Sequence, residues 1–164
     1  MSEGMFLSSE ISMKLDKVIA QLRQKLHPNC IILADISGQL LASYISNNEI
    51  DATGLAALFA SNVGATSAIA DKIQETEGFN FILHEGKSYN IFLSKIGNSY
   101  LMAVVFMRSE QIGIVRLFSK KASEQLLLLS REYEELNDTA IKNKIGNKFS
   151  EKLVDNLTDI FDDI

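Results

Sequence analysis

The sequence predicts an α/β sandwich of order α-β-β-α-β-β-β-α, in which helices cover both faces of a five-stranded, mainly antiparallel sheet. Three observations carry this. Long stretches with apolar residues three and four apart alternate with short apolar runs that end at glycine turns. Two of those runs, Cys30 to Ala34 and Leu101 to Met107, are apolar without alternation, as strands are when helices cover both faces. And 164 residues are enough to bury roughly 70% of the unfolded surface in one core.

The elements follow in order. Ser8 and Ser9 can cap a helix in which Ile11, Leu15, Val18, Ile19, Leu22 and Leu26 share a face, and Pro28 stops it. Cys30 to Ile36 and Leu40 to Ile45 form a hairpin around Ser37-Gly38-Gln39, with glycine where the turn needs positive φ. Asp51 or Thr53 opens a second helix that runs to about Glu75. Three strands follow: Phe79 to His84, Tyr89 to Ile96 and Ser99 to Met107. The first of them places Phe79, Phe81 and Leu83 on one side and a mixed set on the other, which reads as a sheet edge. Ser109 can cap a third helix containing Ile112, Val115, Leu117, Phe118, Leu126 and Leu127.

After Glu135 the character changes. The chain divides into an α/β domain at 8–135, a polar linker at 136–147 and an amphipathic helix at 148–164. In that last segment Phe149, Leu153, Val154, Leu157, Ile160, Phe161 and Ile164 form a stripe against Glu151, Asp155, Asp159, Asp162 and Asp163.

Composition narrows the function. The chain is 46% apolar and 23% charged, ordinary for a folded protein. A net charge of −5 offers no basic face for nucleic acid. Residues 1–10 have no signal-peptide pattern and no stretch is expected to span a membrane, so the expected location is the cytoplasm. Cys30 is the single cysteine, which leaves no intrachain disulfide and no cysteine-based metal cluster.

Catalytic patterns fail on inspection. His27 ends a helix, where a positive charge suits the dipole, and His84 lacks a second histidine at position 88, which is Ser88. Gly86-Lys87-Ser88 imitates the end of a phosphate-binding loop. The required first glycine is Phe81, and Ser88 leads into a strand rather than a helix. No carboxylate pair sits in an apolar surround that would separate acid from base. The expectation is a protein with no catalytic residues, no metal and no cofactor.

The second helix is the informative segment. Leu55, Leu58, Phe59, Val63, Ile69 and Ile73 can cover a sheet. Roughly opposite lie Ala57, Ala60, Ser61, Gly64 and Ala68, again three and four apart, where a solvated face would carry Lys and Glu. A glycine inside a helix costs about 1 kcal/mol relative to alanine. Gly64 therefore either lets the helix lie close on its own sheet or keeps a stripe smooth for another chain.

With this helix in place, the chain resembles the roadblock/dynein light-chain family, most closely its bacterial MglB-type members. The matching residues are Asp35-Ile-Ser-Gly-Gln-Leu-Leu-Ala42, Leu55 to Thr66, Leu83-His-Glu-Gly86, Ile91-Phe-Leu-Ser-Lys-Ile-Gly97, Val104-Val-Phe106 and Gly113-Ile-Val-Arg116. The likeness covers about residues 8 to 135. It implies a homodimer whose sheets pair through the third strand, with Phe79, Phe81 and Leu83 at the interface. It also implies that the second helices lie side by side as a platform for a small Ras-like GTPase. Ala57, Ala60, Ser61, Gly64 and Ala68 would then contact the GTPase, with Ala60 and Gly64 as the small pair. Hydrolysis would be promoted without a donated arginine, by repositioning the GTPase's own catalytic groups, in a setting of cell polarity and motility. Arg108, Arg116 and Arg131 fall outside the platform helix, which fits. Two alternatives stand beside this reading. One is a scaffold that binds a GTPase or motor complex without stimulating hydrolysis. The other is a small-ligand sensing domain, which needs a cavity with convergent polar groups.

Overall fold

The computed structural model describes residues 9–132, 134, 135, 138 and 139. Its elements are α1 (Ser9–Leu26), β1 (Cys30–Asp35), β2 (Leu40–Ile45), α2 (Ala52–Lys72), β3 (Phe81–Glu85), β4 (Tyr89–Ile96) and β5 (Tyr100–Met107). A third helix, α3, takes in residues 112–132. The sheet has five strands in the order β2-β1-β5-β4-β3, and each neighbouring pair is antiparallel. This is the predicted α/β sandwich.

Burial explains the layering. Every residue of β1 is buried, as is nearly all of β5, because these two central strands are covered on both faces. Cys30, Ile32, Ala34, Leu93, Leu101 and Ala103 meet Ala56, Phe59 and Val63 of α2 on one face. The alternate residues of the same strands point to the other face, where α1 and α3 lie. There Arg23 of α1 stacks its guanidinium 4.4 Å from the centre of the Tyr44 ring, and Arg116 of α3 does the same on Phe81 at 4.6 Å.

One turn fixes where α2 sits. Asp35 Oδ1 accepts hydrogen bonds from Ser37 N (2.9 Å), Ser37 Oγ (2.6 Å) and Gln39 N (2.9 Å), which folds residues 35–39 into a tight connection. Gly38, at φ +92°, presses on α2: a Cβ there would stand 2.9 Å from Ala57 Cα and 3.3 Å from Ala60 Cβ. At the start of α2 the Asp51 carboxylate accepts from Gly54 N at 3.0 Å, so Asp51 is the cap.

Several expected boundaries move. α2 ends at Lys72, short of Glu75, and β3 starts at Phe81, leaving Phe79 outside the strand. Ser109 does not cap α3; the first helical bonds go to the Gln111 carbonyl, from Ile114 N and Val115 N. Helical residues occur at 134, 135, 138 and 139, and Thr139 Oγ1 donates to Glu135 O, at positions the sequence assigns partly to a linker. The expected helix at 148–164 lies outside the described residues.

Candidate docking site on the second helix

α2 has no charged residue from Ala52 to Ala70. Its buried line is Ala56, Phe59, Val63 and Ala70, spaced three, four and seven, and it faces the sheet with Ala52, Leu55 and Ala60 packed half-buried beside it. Leu58, Ile69 and Ile73 do not cover the sheet as the sequence suggests; Leu58 is 66% and Ile69 55% exposed. A helix buries only about one face against a single sheet, so residues displaced from that line reach solvent however apolar they are.

The five small residues divide. Ala57, Ser61, Gly64 and Ala68 are exposed, whereas Ala60 is half-buried and packs against the core cluster. Nothing lies within 4 Å of a Cβ built on Gly64. Close packing on its own sheet is therefore not the reason for that glycine. The close approach belongs instead to Gly38, against Ala57 and Ala60 on one flank of the helix. On the outward side Ser61 Oγ donates to Ala57 O at 3.0 Å, which turns the hydroxyl back on the backbone.

The other flank faces the sheet edge. Asn62 Nδ2 lies 3.4 Å from His84 Nε2, joining α2 to β3. β3 is a terminal strand, so one side of its backbone has no strand neighbour in this chain. The three residues assigned to the dimer interface are placed differently from one another. Phe79 is 43% exposed and precedes β3. Phe81 and Leu83 are half-buried and point toward α3, where Phe81 stacks on Phe92 with ring centres 4.8 Å apart. From the sequence Asn62 does not stand out, His84 is weighed only as a metal ligand, and Leu58 and Ile69 are assigned to the sheet, because only the tertiary fold sets the phase of α2 and brings β3 beside it.

The same helix bears on the expectation that no stretch spans a membrane. At 21 residues, α2 is long and apolar enough to cross a bilayer by length and composition alone. In the fold it is the layer packed on β1, β2 and β5.

The catalytic look-alikes resolve into structural roles. Gly86-Lys87-Ser88 is the β3–β4 turn: Gly86 N donates to Tyr89 O at 3.0 Å, and a side chain at 86 would collide with that carbonyl oxygen. His27 adopts φ 46° just after α1, with its N–H donating to Arg23 O. Among the described residues no group of His, Cys, Asp and Glu could hold a metal ion. Burial pushes the Cys30 thiol up to about 11 from 9.0, so it is a core side chain rather than a nucleophile.

These features define a small α/β domain with an uncharged helix on one face and, beside it, a strand edge that has no strand neighbour within this chain. The Roadblock/LC7 domain model matches residues 14–106, more than half of the chain, and the protein belongs to that family. Among solved structures it is similar to Myxococcus xanthus MglB, with 30% identity and a TM-score of 0.73 over 79% of this chain and 95% of that one. The gliding protein MglB of Thermus thermophilus is 26% identical, with a TM-score of 0.71 over 77% of this chain and 95% of that one. A Roadblock/LC7 domain from Streptomyces avermitilis shares the fold at 16% identity and a TM-score of 0.64, over 73% and 97% of the two chains. Comparison with curated protein sequences finds no match.

Proposed function

We propose that this protein is a non-catalytic, cytoplasmic regulator that acts as a homodimer. It binds a small Ras-like GTPase on α2 and promotes GTP hydrolysis by repositioning the GTPase's own catalytic groups. One observation carries the reading: α2 is uncharged from Ala52 to Ala70 and yet turns Ala57, Leu58, Ser61, Gly64, Ala68 and Ile69 to solvent. A solvated helix face ordinarily carries charge, and a contiguous apolar one marks a surface that another protein covers.

Family membership supports the choice of partner, since the MglB-type resemblance implies a GTPase on this helix. One MglB structure carries a tetrameric arrangement, at 26% identity, which fits a chain that self-associates. The arginines support the mode of action. Arg116 is stacked on Phe81 on the sheet face opposite α2, and Arg108 Nη1 donates to Gly86 O at 3.1 Å. Neither is on the uncharged helix, where an arginine finger would have to start.

The test is Gly64→Arg in the full chain. Space beyond Gly64 is open and arginine is the better helix former, so the variant should melt no lower than wild type. Its binding to a Ras-like GTPase from the same genome should be lost, because an unpaired charge at an interface centre is costly. Ala60→Arg is the poorer probe, since Ala60 packs against the core. A folded Gly64→Arg variant that binds normally would remove α2 from the docking surface. Binding by wild type without faster hydrolysis would leave the scaffold reading in place of the activator.

A further inference from the structure

On the face opposite α2, a groove of about 390 Å³ runs between β3–β4 and α3, within the range of small-molecule sites. Buried rings and aliphatic side chains form much of its floor: Phe92 and Ile96 are almost fully buried, and Phe81 stacks on Phe92. Leu127 of α3 closes one side and reaches Gly97, where a Cβ would lie 3.0 Å from its Cδ1.

Polar groups converge on this floor from both walls. Ser94, only 4% exposed, lines it from β4. Ser123 lines it from α3, and its hydroxyl oxygen is buried without a hydrogen-bond partner. Arg116 and Lys120, one helical turn apart, supply two cations at the rim, and Glu124 supplies one carboxylate. No ion pair within 4 Å engages Arg116 or Lys120 among the described residues. The Arg116 guanidinium carbon lies over the Phe81 ring, 4.6 Å from its centre, which places the cation at the edge of the apolar floor.

We propose that this groove binds a small apolar monocarboxylate, its head on Arg116 and Lys120 and its body on Phe81, Phe92 and Leu127. The planar guanidinium edge matches a carboxylate through two parallel hydrogen bonds. Glu124 on the same rim disfavours a doubly charged head such as a phosphate monoester. The site is separate from the docking helix, and its assignment does not depend on the GTPase reading. It supplies the convergent polar groups that a ligand-sensing domain needs and that the aliphatic sequence runs do not advertise.

The test is calorimetric titration of the full chain with decanoate and with 1-decanol, mapped by backbone amide shifts. Decanoate should bind, 1-decanol should bind at least about tenfold more weakly, and shifts should gather at Phe81, Ser94 and Leu127. Arg116→Ala should weaken decanoate by about tenfold and lower the melting temperature only slightly, because Arg116 is an exposed side chain whose ring contact on Phe81 is worth about 1 kcal/mol or less. Arg116→Lys should restore only part of the affinity, since lysine keeps the charge and loses the fork. Equal binding of acid and alcohol, shifts gathered elsewhere, no binding of decanoate, or an Arg116→Ala variant of wild-type affinity would each overturn the assignment.

Discussion

Gly38 and Ala57 touch through bare backbone: a Cβ on Gly38 would lie 2.9 Å from the Ala57 Cα, at a φ of +92°. This contact seats α2 on the β1–β2 turn, which Asp35 holds from inside with three hydrogen bonds. The docking helix therefore takes its position from a glycine in a turn. The glycine within the helix itself, Gly64, meets nothing.

The two glycines should respond oppositely to alanine. Gly38→Ala combines a strained φ with a collision against helix backbone and should lose about 2 kcal/mol or more of stability. Gly64→Ala adds a methyl into open space and removes helix-interior glycine, so it should gain up to about 1 kcal/mol. Urea denaturation of both variants checks this, and a destabilised Gly64→Ala would contradict the open face.

The wild-type chain should scatter light as a dimer at micromolar concentration, because β3 leaves one side of its backbone unpaired within the chain. His84→Lys puts a charge on an exposed edge position and should weaken association while the fold holds. Phe81→Asp should instead lower the melting temperature, since Phe81 packs on Phe92 rather than outward. A wild-type monomer would end the dimeric platform.

Arg116→Ala and Arg131→Ala should leave any stimulation of GTP hydrolysis within a few-fold of wild type. A donated arginine finger contributes about 10³-fold or more to turnover. A loss of that size in a folded variant, measured in single-turnover hydrolysis with the GTPase partner, would refute repositioning as the mechanism.

Cys30 should resist thiol reagents in the folded protein at pH 8. It is fully buried, and burial raises its pKa from 9.0 to about 11, so the reactive thiolate is scarce as well as shielded. The raised value also means that native Cys30 keeps its proton between about pH 9 and pH 11 where the unfolded thiol loses it, and stability should fall with rising pH across that window. Labelling with a disulfide reagent, with and without urea, checks the first point: fast labelling without urea would show that Cys30 is not a core residue.

The sequence by itself determined the order of elements, the two central strands and the edge character of β3. Each depends on a local pattern: unbroken apolar runs at Cys30 to Ala34 and Leu101 to Met107, glycine at the turns, and alternation around Phe81. It also disposed of the phosphate-loop imitation, because Ser88 visibly enters a strand. The phase of α2 was not legible. With Leu55, Leu58, Phe59, Val63, Ile69 and the alanines spread round the helix, no polar face marks the outside. Only packing against Cys30, Ile32 and Ala103 decided that Phe59 and Val63 turn inward while Leu58 and Ile69 stay in solvent. Likewise Asn62 meets His84, and Arg116 lies on Phe81, across long separations in the chain. No periodicity within one element records such pairs, because they exist only once the sheet order has brought β3 under both helices.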